Sequence, residues 1–92
     1  MTELQIDDWG ILKLVGDVSI FTVQELHPLL LTVSPDDYPE LKIDLSGLTD
    51  LDTVGVQLLL GFRRRFRHSI VHSCPAQLRE FVQQIGLDEL FL

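Results

Sequence analysis

Leu41-Lys42-Ile43-Asp44-Leu45-Ser46-Gly47-Leu48-Thr49-Asp50-Leu51-Asp52-Thr53-Val54-Gly55-Val56-Gln57-Leu58-Leu59-Leu60 carries three local patterns in succession. Leu41, Ile43 and Leu45 alternate with Lys42 and Asp44, the period-2 pattern of a strand with one buried face. Ser46-Gly47 bounds that strand, and a polar loop leads on from it. A helix is expected from about Thr53, with Leu59, Phe62 and Phe66 on one stripe together with Gly55, and Gln57, Gly61 and Arg64 opposite. Val54, Val56, Leu58 and Leu60 make its first two turns apolar nearly all round. A helix of that kind is buried on more than one side, and in a small domain one side can be covered by a partner. Gly61 costs about 1 kcal/mol relative to Ala in a helix interior and reads as permitting close packing.

Upstream, Leu4-Gln5-Ile6 and Ile11-Leu12-Lys13-Leu14-Val15 flank Asp7-Asp8-Trp9-Gly10, which has turn chemistry, so a hairpin opens the sheet. Thr22-Val23-Gln24-Glu25 has the form of a capping box, and Val23, Leu26, Leu30 and Val33 recur at helical spacing. Pro28 conflicts with that helix and predicts a kink or a late start. Residues 34–40 form an acidic loop. Downstream, Ser69-Ile70-Val71-His72 is a short strand. Pro75 suits the first turn of a third helix, capped by Ser73 or Cys74. Leu78, Phe81, Val82 and Ile85 form its buried stripe, and Gly86 is placed to end it. Leu87, Leu90, Phe91 and Leu92 are expected to pack back on the core. The order β-β-α-β-α-β-α implies a single small α/β domain over 1–92, with a mixed, mostly parallel four-stranded sheet whose first strand is antiparallel.

The chain has 92 residues and a net charge of -7. Residues 1–52 hold eleven Asp/Glu against two Lys, and residues 53–92 three against five Arg. That balance argues against nucleic-acid binding, which needs a positive surface. The run Arg63-Arg64-Arg65-Phe66-Arg67 falls at a helix end, where cations complement the helix dipole. The single Cys74 excludes an internal disulfide and fits a reducing compartment. No segment has the length of a membrane span. A soluble cytoplasmic protein with no direct membrane insertion is expected.

His68, His72 and Cys74 share one strand parity, but His68 and His72 would lie ~13 Å apart along a strand, too far for one zinc. No serine sits in a nucleophile elbow, and no glycine-rich phosphate loop precedes a lysine. The loop carboxylates Asp50 and Asp52 fit helix-start electrostatics. No catalysis, metal or cofactor is expected. Either Asp52 or Thr53 can cap the helix. A hydroxyl at such a start is also exposed, and a phosphate on it would lie among free N–H groups beside an apolar surface.

Ile43-Asp44-Leu45-Ser46-Gly47-Leu48 followed by Leu51-Asp52-Thr53-Val54-Gly55-Val56-Gln57-Leu58-Leu59 resembles the core motif of STAS domains, the fold of bacterial anti-sigma factor antagonists. Gly16-Asp17-Val18, Cys74-Pro75-Ala76 and Ile85-Gly86-Leu87 extend the resemblance over nearly the whole chain. It implies a non-enzymatic signalling module. Thr53 matches the residue phosphorylated by an anti-sigma or histidine-kinase-like serine kinase, and Asp52 the acidic residue before it. Val54 replaces the second small hydroxyl residue, which leaves Thr53 as the one hydroxyl at the junction. The partner surface is expected at Asp50, Asp52, Thr53, Val54, Val56, Gln57 and Leu60. The motif is similar, too, to STAS subunits of chemotaxis signalling systems and of lipid-transport ABC transporters, which implies an accessory role without phosphoswitching as the alternative.

Overall fold

A computed structural model of the chain describes residues 2–92. The elements are β1 (Thr2–Ile6), β2 (Ile11–Val18), α1 (Val23–Leu31), β3 (Glu40–Leu51), α2 (Thr53–Arg64), β4 (His68–Ser73) and α3 (Ala76–Gln84), then a 3-10 turn at Asp88–Phe91. The strands form one sheet in the order β1-β2-β3-β4. β1 pairs antiparallel with β2, and the other two pairings are parallel. This is the mixed α/β sheet expected from the pattern of strands and single helices. Leu12, Leu14, Leu41, Ile43 and Leu45 point to one face and are buried, while Lys42 lies exposed on the other. Leu26 and Leu30 of α1, Val56, Leu59 and Phe62 of α2, Val82 of α3 and Leu90 complete the same core cluster.

The opening hairpin closes through Asp7. Its Oδ1 accepts from the amides of Trp9 at 2.9 Å and Ile11 at 3.0 Å, and Gly10 takes φ +82°. At the other end, α3 stops in a Schellman motif. Gly86 is left-handed at φ +78°, its amide donates to Gln83 O, and Leu87 N donates to Val82 O, both at 3.1 Å.

Several local expectations are corrected. Thr22 does not cap α1 with its side chain. Its Oγ1 turns back into the β2–α1 connection, accepting from Ser19 N and donating to Asp17 O, both at 3.0 Å. α1 does not start late; Pro28 sits inside it. Gln24 and Pro28 are both exposed, so the missing backbone bond falls on the solvent side. Neither Ser73 nor Cys74 caps α3: Pro75 is the cap residue, with no side-chain bond. Leu92 does not pack back and is 83% exposed.

The larger correction concerns the polar loop after Leu45. β3 runs on through Ser46 and Gly47 to Leu51. Pairing with β2 continues, with register irregularities between Lys13 and Val15 and between Gly16 and Asp17. Asp44 Oδ1 accepts from Ser46 N at 2.9 Å, local turn chemistry that here bends a strand without ending it. Gly47 fits tightly at the bend, since a Cβ there would lie 3.1 Å from Leu14 O and 3.0 Å from Val15 Cγ2, and β2 would have to give by a few tenths of an ångström. The whole connection to α2 is therefore the single residue Asp52.

Candidate functional site

Asp52 joins three elements. Its Oδ1 accepts from Gly55 N at 2.8 Å, capping α2. Its Oδ2 accepts from Ile20 N at 2.9 Å, in the β2–α1 connection. Its own amide donates to Val18 O at 3.3 Å. The choice between Asp52 and Thr53 as cap falls to Asp52, because its extended backbone leaves the carboxylate beneath the first helical amides. Helix and strand approach so closely here that a Cβ on Gly55 would overlap the Val18 carbonyl. Gly55 is thus the glycine that close packing requires. Gly61 is not: a Cβ there meets nothing within 4 Å.

Relieved of capping, Thr53 is exposed at the first position of α2, and its hydroxyl has no partner among the described residues. First-turn amides have no partner within a helix, so those of Thr53 and Val54 are left at the open end of α2 beside it. Around Thr53 stand exposed Asp50, Val54 at 40% exposure and exposed Gln57. Val56 and Leu60 do not belong to this surface. Val56 is fully buried and Leu60 is 7% exposed. The turns read as apolar all round are apolar because α2 packs against the sheet along one side and against α1 and the C-terminal segment on its flanks. Two residues are gained in their place. Ile20 and Phe21 are 59% and 88% exposed, and the Asp52–Ile20 bond holds their turn against the start of α2. The available signal was two adjacent apolar residues before the first helix, outside its periodic stripe.

The other candidates resolve by geometry. Among the described residues no three His, Cys, Asp or Glu side chains converge on a point that could hold a metal. Cys74 is half-buried, and burial raises its thiol pKa. Of the arginine run, Arg63 turns inward while Arg64, Arg65 and Arg67 are exposed. Arg63 donates to the carbonyls of Ser69 and Leu90, each at 2.5 Å, and of Leu92 at 2.7 Å. Burial lowers its pKa, with Glu89 opposing, and the guanidinium stays charged. Arg64 pairs with Glu89 at 2.6 Å. Among the described residues no helix is long and apolar enough to cross a membrane.

The sequence model of the family described as Mlab, STAS domain, matches residues 3–92. An anti-sigma factor antagonist from Mycobacterium paratuberculosis is similar in structure, with a TM-score of 0.71 at 26% identity, over 99% of this chain and 81% of that one. The anti-sigma factor antagonist SpoIIAA in its unphosphorylated form gives 0.73 at 17% identity, over 100% and 86%. SpoIIAA of Bacillus in the phosphorylated form gives 0.67 at 17%, over 100% and 89%. No curated protein matches the chain.

Proposed function

This chain belongs to the STAS domain family, and from that premise we propose that it is a non-enzymatic, cytoplasmic regulatory module that docks a partner kinase around Thr53 and is switched by phosphorylation there. The observation that carries the reading is the division of labour at Asp52-Thr53. Asp52 caps the helix with one oxygen and ties down the neighbouring turn with the other, so the Thr53 hydroxyl is exposed and has no structural duty. A phosphate on it would add about -1.5 to -2 charge. The first-turn amides of Thr53 and Val54, which have no partner within the helix, can donate to that phosphate, so the fold tolerates it. A partner seated on Phe21, Ile20 and Val54 would have to desolvate it, and is displaced. SpoIIAA, solved in both forms, supports such a switch on this fold.

The second reading is a constitutive accessory subunit of a chemotaxis or transport assembly, with Thr53 as a contact only. The family description, which names Mlab and no antagonist, favours it. Purification of the native chain with its partner, followed by phosphopeptide mapping, separates the two. Phosphate on Thr53 and a co-purifying kinase are expected. An ATPase partner with Thr53 unmodified under all growth conditions would sink the switch and establish the second reading.

A further inference from the structure

Gly61 lies in the interior of α2, where glycine is less favourable than alanine. Nothing inside the molecule requires it, since its Cβ position is open. It lines a cleft of about 270 Å³ between α1 and α2 together with Leu31, Leu58, Phe62 and Arg65, whose guanidinium also donates to Leu30 O at 3.3 Å. The groove continues past His27 and Pro28 to Val54, beside Thr53. From Val54 to Arg65 it spans three turns, or ~16 Å. Leu31 is 53% exposed and Val54 40%, so its apolar lining is uncovered at both ends.

We infer that this groove receives an apolar, acid-ended helix of the partner, packed over Gly61 with a carboxylate at Arg65. The inference rests on the docking role proposed above and identifies what docks. A missing side chain on a helix face lets a second helix approach closely, and three turns of apolar groove fit the helix-in-groove mode of recognition. Charge selects among helices. Among fourteen Asp/Glu in the chain, none lines the groove, whose charged group is Arg65 with His27 nearby. A carboxylate on the incoming helix complements that end, as a lysine does not.

The probe is a capped synthetic peptide of about four turns. It carries leucines at i, i+3, i+4, i+7 and i+11 and a glutamate pair at the end that meets Arg65, and is compared with its Glu-to-Lys twin. Titration into the full chain, followed by amide NMR, is expected to shift Gly61, Leu31 and Val54. Gly61→Leu, which fills the cleft, weakens the glutamate peptide about tenfold and leaves the melting temperature at or above wild type. The lysine twin binds about threefold more weakly to wild type, and Arg65→Glu reverses that order. Equal binding to wild type and Gly61→Leu, or no shift in the groove amides, overturns the inference. So does self-association in sedimentation that Gly61→Leu abolishes, because a second copy then occupies the groove. Thr53 is intact throughout, so failure here leaves the phosphorylation reading standing. Loss of that reading in phosphopeptide mapping leaves the groove to be judged by the titration alone.

Discussion

Asp52 and Gly55 carry the junction, and substitutions separate their roles. Asp52→Ala loses the cap, worth about 1 kcal/mol, and leaves Ile20 N without its acceptor. A destabilisation of about 2 kcal/mol is expected in urea unfolding. Asp52→Asn retains one acceptor oxygen, so it should recover part of that loss; if it is as damaging as Asp52→Ala, the two-oxygen account fails. Gly55→Ala is the harsher change. Its methyl overlaps the Val18 carbonyl, which needs backbone displacement and costs upwards of about 2 kcal/mol. Gly61→Ala carries the opposite sign, raising stability by about 0.5–1 kcal/mol. Two alanines six residues apart on one helix thus move the unfolding midpoint in opposite directions. Val56 offers a further contrast. Being fully buried, Val56→Ala should lower stability by about 2 kcal/mol without changing partner affinity per folded molecule.

The last segment of the chain is held at the level of elements. The 3-10 turn at Asp88–Phe91 has a single buried anchor, Leu90, and Arg63 of α2 binds the carbonyls of Leu90 and Leu92 while reaching Ser69 in β4. One planar fork thereby ties helix, strand and C-terminal turn together, which an ammonium group cannot do. Arg63→Lys is expected to raise hydrogen exchange of residues 87–92 well before it affects β2 or β3. Unchanged exchange there would show that Leu90 packing alone suffices. β3 shows what a single sequence conceals. Leu41, Ile43 and Leu45 declare their buried face, but Asp44-Ser46-Gly47 carries the chemistry of a turn. Only the continuing pairing with β2 keeps the strand going, and that pairing lies some thirty residues back. The Asp52–Ile20 bond is hidden for the same reason. Gly86, by contrast, acts through neighbours within five residues, and its turn was readable directly; Gly10 has the left-handed φ its turn chemistry announced but also abuts Glu40 O.

Across the molecule, acid should weaken the fold on its open sheet face. Asp44 is held below the ordinary carboxylate value of 3.8 by hydrogen bonds from the Ser46 side chain and amide, against a small opposing effect of burial, with Lys13 and His72 adding attraction. A depressed carboxylate contributes stability that is fully present above 3.8 and is lost as pH falls through its lower folded value. The urea midpoint should therefore drop below pH 4, and Asp44→Asn should flatten that limb by lowering the midpoint at pH 7, where the carboxylate's contribution is present. At this same scale the sheet, the helix order and the Thr53 junction were legible, because strand alternation and helical stripes are local signals. Which side chains surround Thr53 at the surface was not. Val56 and Leu60 are buried by elements distant in sequence, while Ile20 and Phe21 are brought to Thr53 only by the fold.

The account rests on Thr53 being a surface switch and not a structural residue. Its most direct test is the affinity of the co-purified partner for wild type, Thr53→Ala and Thr53→Glu, measured side by side with their melting temperatures. The account predicts that Thr53→Ala binds within about threefold of wild type and Thr53→Glu at least about tenfold more weakly, with all three melting together. Thr53→Glu binding as tightly as wild type would contradict it.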